Sequence, residues 1–116
     1  MKNQAEQTLN DYRHGIEELT SYLPEGTKEY NRFTGTFFED GEVDRSHKHL
    51  MALAISVKDG DEASITYHMD QCVALGCSDQ QIYETMGVAA AYGGGSAMSQ
   101  AVTVGIRTLK EFRERS

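Results

Sequence analysis

Asp61, Ser64, His68 and Cys72 recur at spacings of three, four and four. On a helix those spacings stack the four side chains in one column on one face. His49 lies twelve residues before Asp61, and Asp59-Gly60 stands between them. A glycine-centred break there turns two helices antiparallel, with His49 about three turns before it and His68 about two turns after it. Two antiparallel neighbours could then hold both imidazoles within reach of one small pocket, and the crossing angle of the helices decides whether they share it. Imidazole is the side chain that exchanges protons near neutral pH, so the chemistry on offer is acid–base.

Each of these residues also has a plainer use. Asp61 is a good N-cap for the helix after the break, a role worth ~1 kcal/mol. Ser64 is a neutral helix residue, and His68 and His49 can be satisfied core histidines. Cys72 lies on the His68 face but inside the helix, where no helix dipole favours its thiolate. It reads as a buried structural thiol, and Cys77, at a helix junction, as the more exposed of the two. His68, Cys72 and Cys77 taken as metal ligands lack a fourth ligand at a recognisable spacing. No metal and no cofactor is expected.

Six helices must position these groups. Leu9, Tyr12, Ile16 and Leu19 mark a first helix over about 4–22. Pro24 and Gly26 punctuate it, and a second helix over about 26–39 carries an aromatic stripe, Tyr30, Phe33, Phe37 and Phe38, that predicts a core-facing side. Gly35 weakens this helix by ~1 kcal/mol against alanine and so predicts close packing. Asp44 caps a third helix over about 45–59, whose stripe of Leu50, Leu53, Ala54 and Val57 leaves His49 at its edge, at least half buried. The fourth helix, about 62–76, ends at Gly76, and Ser78 with Gln81 forms a capping box for the fifth, about 79–91. Gly93-Gly94-Gly95 predicts a turn where another backbone comes close. As a phosphate cradle it lacks a preceding strand and a following Lys-Ser/Thr. The sixth helix, about 96–114, is rich in alanine and glycine at its start, which suits tight helix or subunit packing. No run alternates at period two, so the fold class is all-α.

The bulk numbers bound the rest. At 116 residues the chain is one domain, 1–116. Its 11 basic and 18 acidic residues give a formal charge of −7, which argues against nucleic acid and against an anionic membrane surface. The basic residues Arg107, Lys110, Arg113 and Arg115 read as an answer to a helix dipole. The N-terminus is polar, and no apolar run approaches the ~20 residues of a membrane span. The expected location is cytoplasmic, where two cysteines stay reduced.

The stretch His49–Gly76 also resembles the carboxymuconolactone decarboxylase, or alkylhydroperoxidase-D-like, family. In the redox branch of that family a helix begins with Glu, C-x-x-C follows twelve residues later, and His comes four residues after the second Cys. Those positions hold His49, Asp61, Ser64 and His68 here. The likeness extends over about 24–112, including Asp40-Gly41 with Asp44 and the glycine run at 93–95. It implies a helical homo-oligomer, a trimer or hexamer. It also implies that the peroxidatic and resolving thiols map to Asp61 and Ser64, which form no disulfide. A further His that some members carry between the two Cys falls on Glu62 or Ala63.

The decarboxylase branch lacks the Cys pair and keeps the His. There the resemblance implies proton transfer on a small carboxylated lactone, with His68 as general acid/base, His49 as a second proton carrier and Asp61 orienting or countering charge. Protonated His49 or Arg45 would meet the anionic substrate. That branch has an Arg near the start of the fourth helix, where this chain has Asp59-Gly60-Asp61-Glu62. The readings are therefore cysteine-independent acid–base chemistry at His68, His49, Asp61 and Ser64; a thiol antioxidant activity using Cys72 or Cys77; or a non-catalytic oligomeric binding module.

Overall fold

A computed structural model describes residues 3–115, and among them every regular element is helical. Helix α1 spans Gln4–Tyr22, and the Asn3 side chain caps it by accepting from the Glu6 amide. Helix α2, Pro24–Thr36, starts on its proline, which fits the first helical position because its missing N–H has no intrahelical partner. Helix α3 spans Arg45–Asp59 and α4 spans Glu62–Ala74, with Asp44 and Asp61 as their N-caps. Between them Gly60 adopts φ 71°, the left-handed conformation that glycine takes at no steric cost. Gly76 does the same at φ 84° to end α4. Helix α5, Asp79–Gly93, opens with the complete Ser78/Gln81 capping box.

The last helix is one rod in three parts: α6 (Gly95–Gln100), a π-helical turn (Ala101–Gly105) and α7 (Ile106–Glu114). The expected sixth helix thus exists but is interrupted. Gly105, the last residue of that turn, lies so close to α5 that a Cβ there would fall on the Met86 sulfur.

Leu53, Val57, Ile65, Met69, Ile82, Leu109 and Phe112 form the centre of the core. Helices α3, α4 and α5 pack most extensively, with α6 and α7 closing over them and α1 lying against α4 and α7. The glycine run does bring elements close: a Cβ on Gly93 would stand 2.8 Å from the Ala97 Cβ and 3.0 Å from the Lys58 side chain.

One expectation fails and two are refined. The aromatic stripe of α2 does not face the core: Tyr30, Phe33 and Phe37 are mostly exposed, because α2 packs along α1 and makes no comparable contact with any other helix. Only Phe38, in the turn after the helix, points inward. Cys77 is the more exposed of the two cysteines, as expected, but only at 4% against 0% for Cys72, since the turn after α4 folds it back beside Cys72. Arg113 lies in the last turn of α7, where a cation meets the dipole, but the C-terminal arginines do more than that. Arg107 pairs with Glu62, Arg113 with Asp79 and the Cys77 carbonyl, and Arg115 with Asp70, so they tie α7 to α4 and to the start of α5.

Candidate active site

The site follows from two caps and one turn. The Asp44 carboxylate accepts from the His47 amide at 2.9 Å and starts α3 at Arg45. That phase sets His49 on the buried face with Leu50 and Leu53, at 2% exposure. After Gly60, Asp61 accepts from the Ser64 amide at 3.2 Å and from the Ser64 hydroxyl at 2.8 Å. That start places His68 one turn beyond Ser64, opposite His49.

The two imidazoles meet: His49 Nδ1 and His68 Nδ1 are 3.0 Å apart. A bond between two ring nitrogens needs one proton between them, so two neutral rings must be opposite tautomers. In one arrangement His49 donates and His68 carries its own proton on Nε2. In the other His68 donates and its Nε2 keeps a free lone pair. The outer nitrogen of His49, Nε2, is buried and has no hydrogen-bond partner. Of the two rings, His49 is the one whose outer nitrogen is sealed off in this way.

Burial pushes the pKa of His68 down to about 4, and the neighbouring His49 adds to the effect. The pKa of His49 is also lowered, first by burial and then by the Arg45 charge. At neutral pH the pair carries no charge.

Aromatic rings enclose it. Phe38 stacks on His49 at 4.6 Å and on His68 at 5.6 Å between ring centroids. The Tyr67 ring meets the edge or face of both imidazoles, and Tyr12 packs against Tyr67. Neither Phe38 nor Tyr67 stood out in the sequence as a site residue. The signal available was the Phe37-Phe38 doublet at a helix end, which throws two rings to opposite sides.

A cavity of about 810 Å³ opens beside the pair, bounded by α1 and α2 on one side and by His49, Ser64, Tyr67 and His68 on the other. Arg13, Arg45, Glu17 and Glu39 put two cations and two anions in its wall. Arg13 approaches Asp70 at 3.8 Å, whereas the Arg45 guanidinium has no ion-pair partner among the described residues. A smaller cavity of about 170 Å³ lies on the other side of Ser64 and His68, lined also by Asp59 and Asp61.

The structure thus joins His49, His68 and Ser64 at one cavity. Asp61 is held by its capping role and reaches only the smaller one. Cys72, one turn beyond His68 in the same column, borders neither cavity. It is fully buried in the core, and burial beside Cys77 pushes its thiol up to about 12. Burial raises the Cys77 thiol as well. No group of three or more His, Cys, Asp or Glu side chains among the described residues is placed to hold a metal ion. No helix among them is long and apolar enough to cross a membrane.

Comparison with known proteins bears on the fold and the family. The chain superposes on a carboxymuconolactone decarboxylase family protein from Legionella pneumophila, in its apo form, with a TM-score of 0.86 at 23% identity over 96% of each chain, which speaks for the fold. Two crystal structures of a protein from Thermotoga maritima match at 27% identity. One gives a TM-score of 0.81 over 91% of this chain and 90% of that one, the other 0.86 over 94% and 95%. That protein is described as a carboxymuconolactone decarboxylase family protein with a possible part in antioxidative response. None of the curated proteins compared with the chain matches it. The family model of the carboxymuconolactone decarboxylase family matches residues 24–105, which hold α2 to α6, the π turn and both histidines, and the chain belongs to that family.

Proposed function

We propose that the chain catalyses cysteine-independent proton transfer on a small carboxylated molecule, of decarboxylase or lyase type, at the His49–His68 pair. The observation that carries this reading is the 3.0 Å bond between the two Nδ1 atoms in the wall of the large cavity. A histidine backed by a second hydrogen-bonded group is the arrangement in which an imidazolium forms without losing its orientation. His68 with its Nε2 free takes a proton from the substrate there. The proton on its Nδ1 stays bonded to His49, and the positive charge is shared by proximity. When a carboxyl group leaves as carbon dioxide, the electron pair stays on carbon. That pair takes up a proton from water, and the proton on His68 Nε2 goes back to the substrate, which returns the two histidines to neutrality.

Arg45 supplies the charge that an acidic protein otherwise lacks for an anionic ligand. A carboxylate seated beside it also offsets the repulsion Arg45 exerts on a protonated His49, so anion binding favours protonation of the pair. A thiol antioxidant activity finds less support, because a thiolate is the reactive form and both sulfurs are buried with raised pKa values.

The test is a panel of carboxylated lactones and β-keto acids in deuterated water, followed by NMR for exchange at carbon and for carbon dioxide release. His68→Ala is expected to lose a factor of 10² to 10⁴, the usual size of a general acid/base contribution. Proton abstraction by His68 further predicts that kcat/KM rises as pH increases through about 4 and then levels off. A wild-type protein that neither turns over nor exchanges any of the panel, and binds none of it in an Arg45-dependent way, would overturn the reading.

A further inference from the structure

The cavity holds more than the proposed chemistry needs. Its volume of about 810 Å³ lies in the range of ~300–1,000 Å³ that takes a drug-sized ligand. A carboxylate and one reacting carbon fill a small part of that space. The remainder of the ligand must meet the remainder of the wall.

Charge says what that remainder carries. Arg45 lies one turn before His49 on α3 and has no ion-pair partner among the described residues. The other cation of the wall, Arg13, leans at 3.8 Å toward Asp70, which does not border the cavity. The acids of the wall are Glu17 on α1 and Glu39 in the turn after α2. Neither has an ion-pair partner among the described residues. One open cation thus meets two open anions. A second carboxylate on the ligand would be repelled by both acids and by a chain of formal charge −7. An uncharged tail would take water from Glu17 and Glu39 and give them no partner. A protonated amine would be drawn in by both.

Aromatic rings accompany the acids. Tyr12 on α1 and Tyr30 on α2 line the cavity with Glu17, and Tyr67 packs against Tyr12 at 6.0 Å between ring centroids. The three lie close enough to act on one another: the Tyr12 phenol is harder to ionise, first through burial and then through Tyr67 and Tyr30. Tyrosine rings attract a cation that comes within ~6 Å of their centroids, and a nearby carboxylate matches its charge. We infer, on the reading that Arg45 seats a carboxylate beside His68, that the ligand of this cavity is zwitterionic. Its carboxylate lies at Arg45, and a protonated amine at its other end lies against Tyr12, Tyr30 and Tyr67, paired with Glu17. The amine takes no part in the proton transfer. It decides which acids are admitted, and by anchoring the far end it holds the reacting carbon at His68. Glu17 is then a specificity-determining residue, on the wall across from the two histidines.

Binding rather than turnover tests this. Straight-chain ω-amino acids of three to eight carbons are titrated into the full chain at low salt, beside the plain acids and the plain amines of the same lengths, with amide NMR shifts as the readout. At the best length the amino acid should bind about tenfold more tightly than the acid, the size of one held cation. Glu17 is exposed, so Glu17→Gln should leave the fold and the affinity for the plain acid unchanged and remove the advantage of the amino acid. Arg45→Ala should weaken both. Amino acids that bind in this way without turnover support the inference while counting against the proposed chemistry. The inference alone is overturned if the plain acid binds as tightly as the amino acid, or if Glu17→Gln keeps the advantage. If no acid of either kind binds in an Arg45-dependent way, the seating of the carboxylate fails and the inference falls with it.

Discussion

A histidine at position 49 leaves the pair without a fixed charge. The redox branch that this stretch resembles has a glutamate there, and a carboxylate beside an imidazole favours the imidazolium, whereas a second imidazole favours the neutral ring. His49→Glu is therefore expected to raise the His68 pKa from about 4, a rise that NMR titration reads directly. The same lowered pKa has a consequence for stability. Unfolded His68 takes a proton near pH 6.5 and folded His68 only near 4, so acid favours the unfolded chain between those values. Stability is full above about pH 6.5 and falls as the pH drops toward 4. Each pH unit between the two pKa values is worth ~1.4 kcal/mol, which sets a ceiling on the order of 3 kcal/mol for His68; solvent screening at its open edge brings the loss to about 2 kcal/mol. Urea unfolding at pH 7 and pH 4 should show that loss in the wild type and a smaller one in His68→Gln. Equal losses in the two would mean that His68 is not the residue responsible. Asp44, held at about 2 by the His47 amide and its other hydrogen bonds, acts only in more acid solution and does not blur the window.

The helices were legible where their ends are written in side chains. Asp44, Asp61 and Ser78 each cap the helix they precede, and Gly60 and Gly76 turn the chain where the pattern says they should. From those starts and the turn between them, counting turns puts His49 and His68 within reach of one pocket, but their meeting depends on the crossing angle of α3 and α4, which no residue spacing gives. What could not be read is which side of α2 faces inward. Its aromatic residues look like core in a sequence, and only the absence of a second neighbouring helix makes them surface. The burial of Cys77 was hidden for a similar reason, since it depends on the backbone bond from its amide to the Cys72 carbonyl. Glycines inside α5 make the packing testable. Gly87 has open space around a Cβ, so Gly87→Ala should stabilise by about 1 kcal/mol through helix propensity alone. Gly93→Ala should instead destabilise by about 1–3 kcal/mol, because its methyl meets Ala97 and Lys58. Thermal or urea melts of the two variants should move in opposite directions.

Across the whole molecule, one carboxylate joins the two ends of the chain to the site helix. Asp70, on α4, is nearly buried and accepts from Arg115 at 2.6 Å, with Arg13 of α1 at 3.8 Å. Arg115 also lies over the Phe112 ring at 4.2 Å from its centroid. Asp70→Ala removes a charge-assisted bond shielded from water and is expected to cost about 2 kcal/mol in urea unfolding. A loss below a few tenths would show the contact to be no stronger than an exposed ion pair. Arg115 can reach Asp70 only because of what happens earlier in the same rod. A π turn is in effect one extra residue let into an α-helix. Without it, everything downstream would be rotated by about 100° about the helix axis, the angle of a single residue. Arg107, Arg113 and Arg115 would then address solvent or the wrong neighbour, and Leu109 and Phe112 would leave the core. The five residues Ala101–Gly105 therefore work as a phase shifter, setting the azimuth at which the C-terminal helix engages α4 and so holding steady the helix that carries His68.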